Sequence, residues 1–230
     1  MKSIQPAENI RSFRRHDHLA RSGDVQDTIY QLQEGWACRY RVLPEGRRQI
    51  TALFLPGDYC EAHWMLAGRA DLPVMALTEV RVSEIPLATV HAKPGQGVMQ
   101  LLGEVMRTFN RQTDWIVGLG RKTAIERVEA LMEEIYDRMA QVGRVANGSC
   151  TVPLTQHDIA DIVGLTPVHV NRVMGDLRER GSLRFTGKIL HLRRRDRGDG
   201  AANGSAVPNQ ISCSLNGGTA HAAGQAKPLY

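Results

Sequence analysis

The stretch "LTQHDIADIVGLTPVHVNRVMGDL" (residues 154–177) decides how the chain is read. It predicts two short amphipathic helices broken by a single Gly. Such a pair either makes a corner of a core or lays its second helix in a DNA groove. Counted from Gln156, a DNA-binding helix-turn-helix needs an apolar residue at position 4 and a small one at 5, where the helices cross closely. It then needs an apolar residue at 8, Gly at 9 for a left-handed turn, and apolar residues at 10, 15 and 18. Ile159, Ala160, Val163, Gly164, Leu165, Val170 and Val173 fill these places. Thr155 is placed to cap the first helix and Thr166 the second, with Pro167 in its first turn and Gly181 as a stop. "SLRFTGKILHL" then reads as strand, turn and strand, a β wing.

Charge separates the groove reading from the plain corner. Between Cys150 and Arg197 stand nine basic residues: Arg172, Arg178, Arg180, Arg184, Lys188, Arg193, Arg194, Arg195 and Arg197. Five acids oppose them: Asp158, Asp161, Asp176, Glu179 and Asp196. That surplus favours attraction to phosphate and hence double-stranded DNA as a partner. The whole chain of 230 residues carries a net charge of +5, which permits an anionic partner without demanding one.

Upstream the text changes. From about Thr28 to Pro86 the segments "TIYQLQ", "WACRYRV", "RQITALF", "PVMALT" and "VRVSEI" read as short strands separated by turn signals, which predicts a small barrel or jelly roll. After "KPGQG" (93–97), Val98, Leu102, Val105, Phe109, Gln112, Ile116 and Leu119 recur at heptad spacing with one polar member. The helix's own barrel can cover such a stripe, but its length favours a partner helix and a homodimer. Gly118 and Gly120 are expected to loosen this helix before a second one, 121–141, whose apolar face is Ile125, Val128, Leu131, Met132 and Ile135. "VGRVANGSC" (142–150) reads as a turn-rich joint, and the segment from Gly198 onward as a disordered tail too poor in large apolar residues to fold. The expected domains are thus a sensor roll over 1–93, a dimerisation helix over 94–120, a winged helix-turn-helix over 121–197 and a tail over 198–230.

No long apolar run predicts a membrane span, and the first residues do not read as a secretory signal. Cys38, Cys60, Cys150 and Cys213 lie far apart without a C-x-x-C pair, which fits free thiols in a reducing cytoplasm. His16 and His18 form an H-x-H in a basic N-terminus expected to be mobile. No cofactor is predicted, and the strands carry too few His for a cupin-like metal enzyme.

With these pieces in place the chain resembles the Crp/Fnr family of bacterial transcription regulators. The likeness covers residues 20–195 and is carried by "EGWACRYRVLPEGRRQITALFLPGDYCEA", the long helix after it, and "LTQHDIADIVGLTPVHVNRVMGDLRERGSL". It implies an α+β architecture: an N-terminal jelly-roll-like β-roll sensor, a long dimerisation helix and a C-terminal winged helix-turn-helix. It also implies a cytoplasmic homodimeric activator with a pseudo-palindromic promoter site, RNA polymerase as a further partner, and no enzymatic activity.

On the second helix, Val170, Val173, Met174 and Leu177 are expected to face inward, leaving Val168, His169, Asn171, Arg172 and Gly175 outside. Arg172 can pair with guanine O6/N7, as the family's matching Arg does, or clamp a phosphate. Asn171 can pair with adenine or with a phosphate; His169 is expected on the backbone. Where the family often carries Glu, Val168 offers only apolar contact, for instance to a thymine methyl. Thr155, Gln156 and His157 are placed for phosphates at a helix N-terminus, with Thr166 and the wing's Lys188 as further contacts.

The sensor is less legible. Glu61 matches the family's ribose-binding Glu, but Cys60 replaces the preceding Gly, and Ala70 and Asp71 stand where Arg and Ser or Thr should hold a phosphate. Without that Arg, and with an Asp that would repel the phosphate, control by cyclic AMP is not expected. The cysteine spacing does not suit an iron–sulfur cluster. His63 lies in register with the haem-binding branch, so Cys60, Glu61 and His63 mark an alternative effector pocket for haem or another small molecule. The effector itself is not specified.

Overall fold

A computed structural model describes residues 9–92 and 95–193, all within one compact unit, Met1–Arg195. The expected disordered tail lies outside the described residues. The strands are β1 (Ile10–Phe13), β2 (His18–Ala20), β3 (Thr28–Glu34), β4 (Ala37–Val42), β5 (Arg48–Phe54) and β6 (Tyr59–Cys60). The short helix α1 (Trp64–Ala67) leads to β7 (Val74–Ala76), β8 (Val80–Pro86) and α2 (Leu87–Ala92). Two four-stranded antiparallel sheets, in orders β1-β8-β3-β6 and β2-β7-β4-β5, face each other as a β-roll. Phe13, Leu19, Tyr30, Phe54, Trp64 and Val82 belong to the buried cluster at its heart.

All five strands expected from the sequence are present. The segment 10–20 is not part of a mobile arm, as its basic composition suggested: Ile10–Phe13 pair with Val80–Ser83, and His18 and Ala20 pair with β7. These strands were hidden because each is too short to show alternation. His16 sits in the connecting turn at φ 72°, and His18 Nε2 lies 2.9 Å from the Tyr40 hydroxyl. The H-x-H is a turn and a packing contact.

The helix α3 (Gln96–Arg121) leaves the roll, and α4 (Ala124–Gln141) follows. Gly118 and Gly120 do not end α3. The break comes at Lys122, in extended conformation, and Thr123, whose hydroxyl accepts from the Glu126 amide while Glu126 accepts from the Thr123 amide. That capping box starts a new helix with a fixed entry angle.

The expected seam on α3 divides in two. Val98, Leu102 and Val105 pack on the roll-side cluster of Ile29, Met65, Ile85 and Leu101. The Gln112 amide donates to the Thr51 carbonyl at 3.1 Å, so its side chain faces its own β5. Phe109, Ile116 and Leu119 are exposed, and Met99, Met106 and Val117 are exposed with them. The correction is a rotation: the outward apolar stripe runs through 99, 106, 109 and 116, one residue round from the expected one at its start. A heptad repeat fixes the spacing of a stripe, but two adjacent registers on a helix that is apolar on two sides are told apart only by what it packs against.

The C-terminal part comprises β9 (Ser149–Thr151), α5 (Gln156–Val163), α6 (Pro167–Glu179), β10 (Leu183–Thr186) and β11 (Ile189–Leu192). The expected wing hairpin is β10–β11; β9, at the end of the expected turn-rich joint, adds a third strand in the order β10-β11-β9. One buried cluster joins Cys38, Ile50 and Leu53 of the roll to Val128, Met132 and Ile135 of α4. It continues into Ile159, Val163, Val170, Val173 and Leu177 of the helix pair.

Candidate nucleic-acid interface

The two-helix unit is assembled as its sequence dictates. Thr155 and Asp158 form a reciprocal capping box: the hydroxyl accepts from the Asp158 amide at 3.1 Å, and the Asp158 carboxylate accepts from the Thr155 amide and hydroxyl. At the turn Gly164 has φ +66°, and a Cβ there would come 3.0 Å from Leu119 Cδ2. The left-handed turn calls for glycine, and a side chain there would also have to push the Leu119 side chain of α3 aside. Thr166 caps α6 by accepting from the His169 amide at 3.2 Å, with Pro167 in the first turn. The first residue's missing N–H costs nothing there.

Burial on α6 follows the expected periodicity. Val170, Val173 and Leu177 are buried and Met174 packs against the same cluster, while Val168 is 74% exposed. His169, Asn171 and Arg172 are exposed beside it, so one uninterrupted face offers an apolar contact, an imidazole, an amide and a guanidinium. Gln156 and His157 are exposed on the first turn of α5. Thr155 and Thr166 both serve as caps, and the Thr155 hydroxyl is engaged on both its donor and acceptor sides. Lys188 is exposed in the turn between β10 and β11, where its carbonyl accepts from the Val152 amide.

Charge on this part is less balanced than its composition suggests. Arg48 on β5 reaches across to α5, its Nη2 2.7 Å from Asp158 and its Nε 2.7 Å from Asp161. Burial by itself raises the Asp158 carboxyl, but the hydrogen bonds from Thr155 and Arg48 outweigh it and hold the group below the ordinary carboxylate range. Two of the acids counted in the sequence are thus engaged by a cation of the roll, which offsets one of their two charges. Exposed Arg172, Arg178, Arg180, Arg184, Lys188 and Arg193 remain to face solvent. Arg48 was missed in the sequence because it lies in the roll, more than a hundred residues away; its only signal was a charge within a strand.

A partly buried ion fork adds little net stability, because desolvation offsets most of its attraction. The apolar contacts dock β5 on α5, each fully buried side chain contributing about 1.5–3 kcal/mol. The fork sets register: Gln49 Nε2 donates to the Ile162 carbonyl at 3.1 Å, and Arg127 Nη1 of α4 donates to the Val163 carbonyl at 2.9 Å. The reader's first helix is held from two sides at its last turn.

In the roll the structure brings Glu61 and His63 together but gives Cys60 a different setting. Cys60 is fully buried in the inner cluster, and burial pushes its thiol well up. Glu61, at φ 52°, is almost wholly buried; its Oε2 accepts from Arg39 Nη1 at 3.0 Å and lies 2.8 Å from His63 Nδ1. Its Oε1 is buried without a hydrogen-bond partner. His63 Nε2 is 3.8 Å from the exposed Asp71, and Ala70 is fully buried. Neither residue supplies a cation for a phosphate. Arg39 was missed for the same reason as Arg48. Cys38 is also buried, its thiol pushed up to about 12 by desolvation, so it is no thiolate at neutral pH. Among the described residues no group of His, Cys, Asp and Glu is arranged to hold a metal ion. Among them, too, no helix is long and apolar enough to cross a membrane.

Two family models match the chain: a cyclic nucleotide-binding domain over residues 10–93 and a Crp-like helix-turn-helix domain over residues 126–197. The nitrogen fixation regulation protein FixK of Bradyrhizobium diazoefficiens is 30% identical over 164 residues, which cover 70% of this chain and 68% of that protein. The transcriptional activator protein FnrL of Cereibacter sphaeroides is 28% identical over 199 residues, covering 82% of this chain and 77% of the relative. The solved structure of FixK2 from Bradyrhizobium japonicum is similar with a TM-score of 0.72 at 29% identity, covering 82% of this chain and 94% of that one. A β-roll, a long helix and a capped, glycine-turned helix pair with a basic outer face thus coincide with regulators at both the sequence and the fold level. The chain belongs to the Crp/Fnr family, DNA-binding transcription regulators and not enzymes.

Proposed function

We propose that the protein is a cytoplasmic homodimeric activator that places α6 of each subunit in successive major grooves of a pseudo-palindromic promoter site and engages RNA polymerase there. The observation that carries this reading is the two-sided character of α6, with Val170, Val173 and Leu177 buried and Val168, His169, Asn171 and Arg172 outward. Arg172 reads a guanine, Asn171 an adenine or a phosphate, and Val168 a thymine methyl. His169, Gln156, His157 and Lys188 contact the backbone. Thr155 and Thr166 contribute chiefly as caps that aim helix N-termini at phosphates.

The dimer forms along α3. Phe109, 60% exposed, and Ile116, 69% exposed, are central to the outward stripe, with Met99 and Met106 above them. An exposed apolar row of that length on a 26-residue helix supports a second copy as its cover. Cyclic AMP is not the signal, since Ala70 and Asp71 offer its phosphate no cation. The alternative, a roll that answers to haem or another small effector, draws support from the buried, unpaired Glu61 Oε1 beside His63. A Soret band in the purified protein would favour haem.

Selection of bound duplexes from a random pool by the untreated protein tests the proposal. The expected product has two inverted half-sites with centres about 34–36 Å apart, or a multiple of that. Recovery of unrelated sequences, or of single half-sites by a monomer, would sink it.

A further inference from the structure

A pocket of about 250 Å³ lies between the C-terminal half of α3, α4 and the end of α5, remote from the roll's interior and from the outer face of α6. Its walls are largely apolar, with Trp115, Leu119, Leu131 and Ile162 among them. Its charges are unbalanced. Glu134 is already committed, accepting from the Trp115 indole at 2.6 Å and from Arg138 Nη1 at 2.9 Å. Asp114 is then the remaining anion, facing Arg111, Arg127 and Lys122.

The two guanidinium groups are poorly satisfied. Arg111 is half-buried, and its Nη2 donates at 3.2 Å to a neutral hydroxyl, Thr108. Burial and then the nearby Arg138 charge disfavour its charged form, so it lies below its ordinary range. Arg127 donates from Nη1 to Val163, but its buried Nε has no partner. Buried guanidinium donors normally find carboxylate, carbonyl or water partners, because leaving them unpaired is costly. An apolar cleft with two such groups and a surplus of positive charge is complementary to one chemical class.

We propose that this pocket binds a small organic anion, an aryl or alkyl carboxylate, with its carboxylate on Arg111 and Arg127 and its apolar body against Trp115 and Leu131. The volume is just below the common range of small-molecule sites, about 300–1,000 Å³, which restricts the ligand to a single ring or a short chain. Arg127 also holds the carbonyl of Val163, the residue before the Gly164 turn. A ligand on Arg127 therefore bears directly on the setting of α5 and α6. That consequence rests on the DNA-reading role of α6; binding itself does not.

The test uses 4-phenylbutyrate, its neutral amide and the corresponding amine on the full chain, followed by calorimetry and by the NMR signal of the Trp115 indole N–H. The carboxylate is expected to bind about tenfold tighter than the amide, the size of one charge-assisted hydrogen bond, and the amine more weakly still. It should move the Trp115 signal and leave those of Trp36 and Trp64 in place. Arg127→Met should cut the preference for carboxylate over amide to below about threefold, and Ala130→Phe should abolish binding of both. Arg111→Met provides a second variant should loss of the Val163 bond unfold the first. Equal binding of acid and amide, an unmoved Trp115 signal at about 10 mM carboxylate, or a preference that survives both Arg variants would overturn the site. None of these readouts involves DNA, so they remain decisive even if the selection experiment fails.

Discussion

The helices α3 and α6 are both amphipathic, and both keep one face out of the core, but the two free faces are opposites. That of α6 carries an imidazole, an amide and a guanidinium around a single Val; that of α3 carries Met99, Met106, Phe109 and Ile116. Water solvates the first face at no great cost, and a polyanion replaces that water with gain. The second face is costly in water and gains only when another apolar surface covers it. The same periodicity thus encodes a nucleic-acid contact in one helix and a protein contact in the other. The chemistry of the exposed residues decides which.

The largest effect is expected where that contrast is erased on α3. The double substitution Phe109→Asp with Ile116→Asp should weaken dimerisation by about 4 kcal/mol or more, roughly a thousandfold, with an unchanged circular dichroism spectrum. Sedimentation equilibrium reads this directly. A dimer of undiminished strength would mean that the exposed stripe is not the seam.

Next comes the link that fixes the reader against the roll. Arg48→Met leaves Asp158 and Asp161 without their cation, and because the Arg48 side chain is 22% exposed the loss should be about 2–3 kcal/mol. Denaturant unfolding measures it. The pH dependence has a definite sign. Asp158 is held below the ordinary carboxylate range in the folded protein, so its contribution is complete above that range. It is lost as the pH falls through that range towards the lowered native value. The variant should show a shallower acid limb than the native chain, and an identical limb would contradict the assignment.

On α6 the effects are smaller and confined to DNA. Arg172→Ala should cost about 1–3 kcal/mol on the selected site and relax preference at one base pair. Equal losses on specific and random duplexes in a salt titration would make Arg172 a phosphate clamp instead. Val168→Glu should leave stability within about 0.5 kcal/mol, as an exposed position allows, while shifting base preference toward cytosine. An unchanged binding motif would show that this position does not touch a base. The smallest effect sharpens the rotation of the α3 stripe. Gln112→Ala removes a bond to Thr51 of the same chain, so dimer strength should change by less than about 0.5 kcal/mol. A larger loss would return Gln112 to the seam.

The helix pair was readable without coordinates because each of its requirements is local. A cap needs Thr at one place, the turn needs Gly at another, and the buried positions repeat every three or four residues. The strands β3, β4, β5, β7 and β8 were legible by composition and turn signals, whereas β1, β2, β6 and β9, with two to four residues each, were not. The two arginines that organise the interior, Arg39 and Arg48, were invisible as such. Each is a charge in an apolar strand, and its carboxylate partners, Glu61 in one case and Asp158 and Asp161 in the other, lie elsewhere in the chain.

By itself, then, the sequence determined the class of each element: a roll, a long helix, and a capped helix pair with a basic outer side. These follow from the pattern of apolar residues and from the few residue types that can start or end a helix. Only the tertiary structure decided which side of α3 is free, that Glu61 is held by Arg39, and that Arg48 engages two acids of α5. It also decided that Arg111 and Arg127 meet across one pocket. Those outcomes depend on distances between segments far apart in the chain, which the packed core fixes and no local pattern encodes.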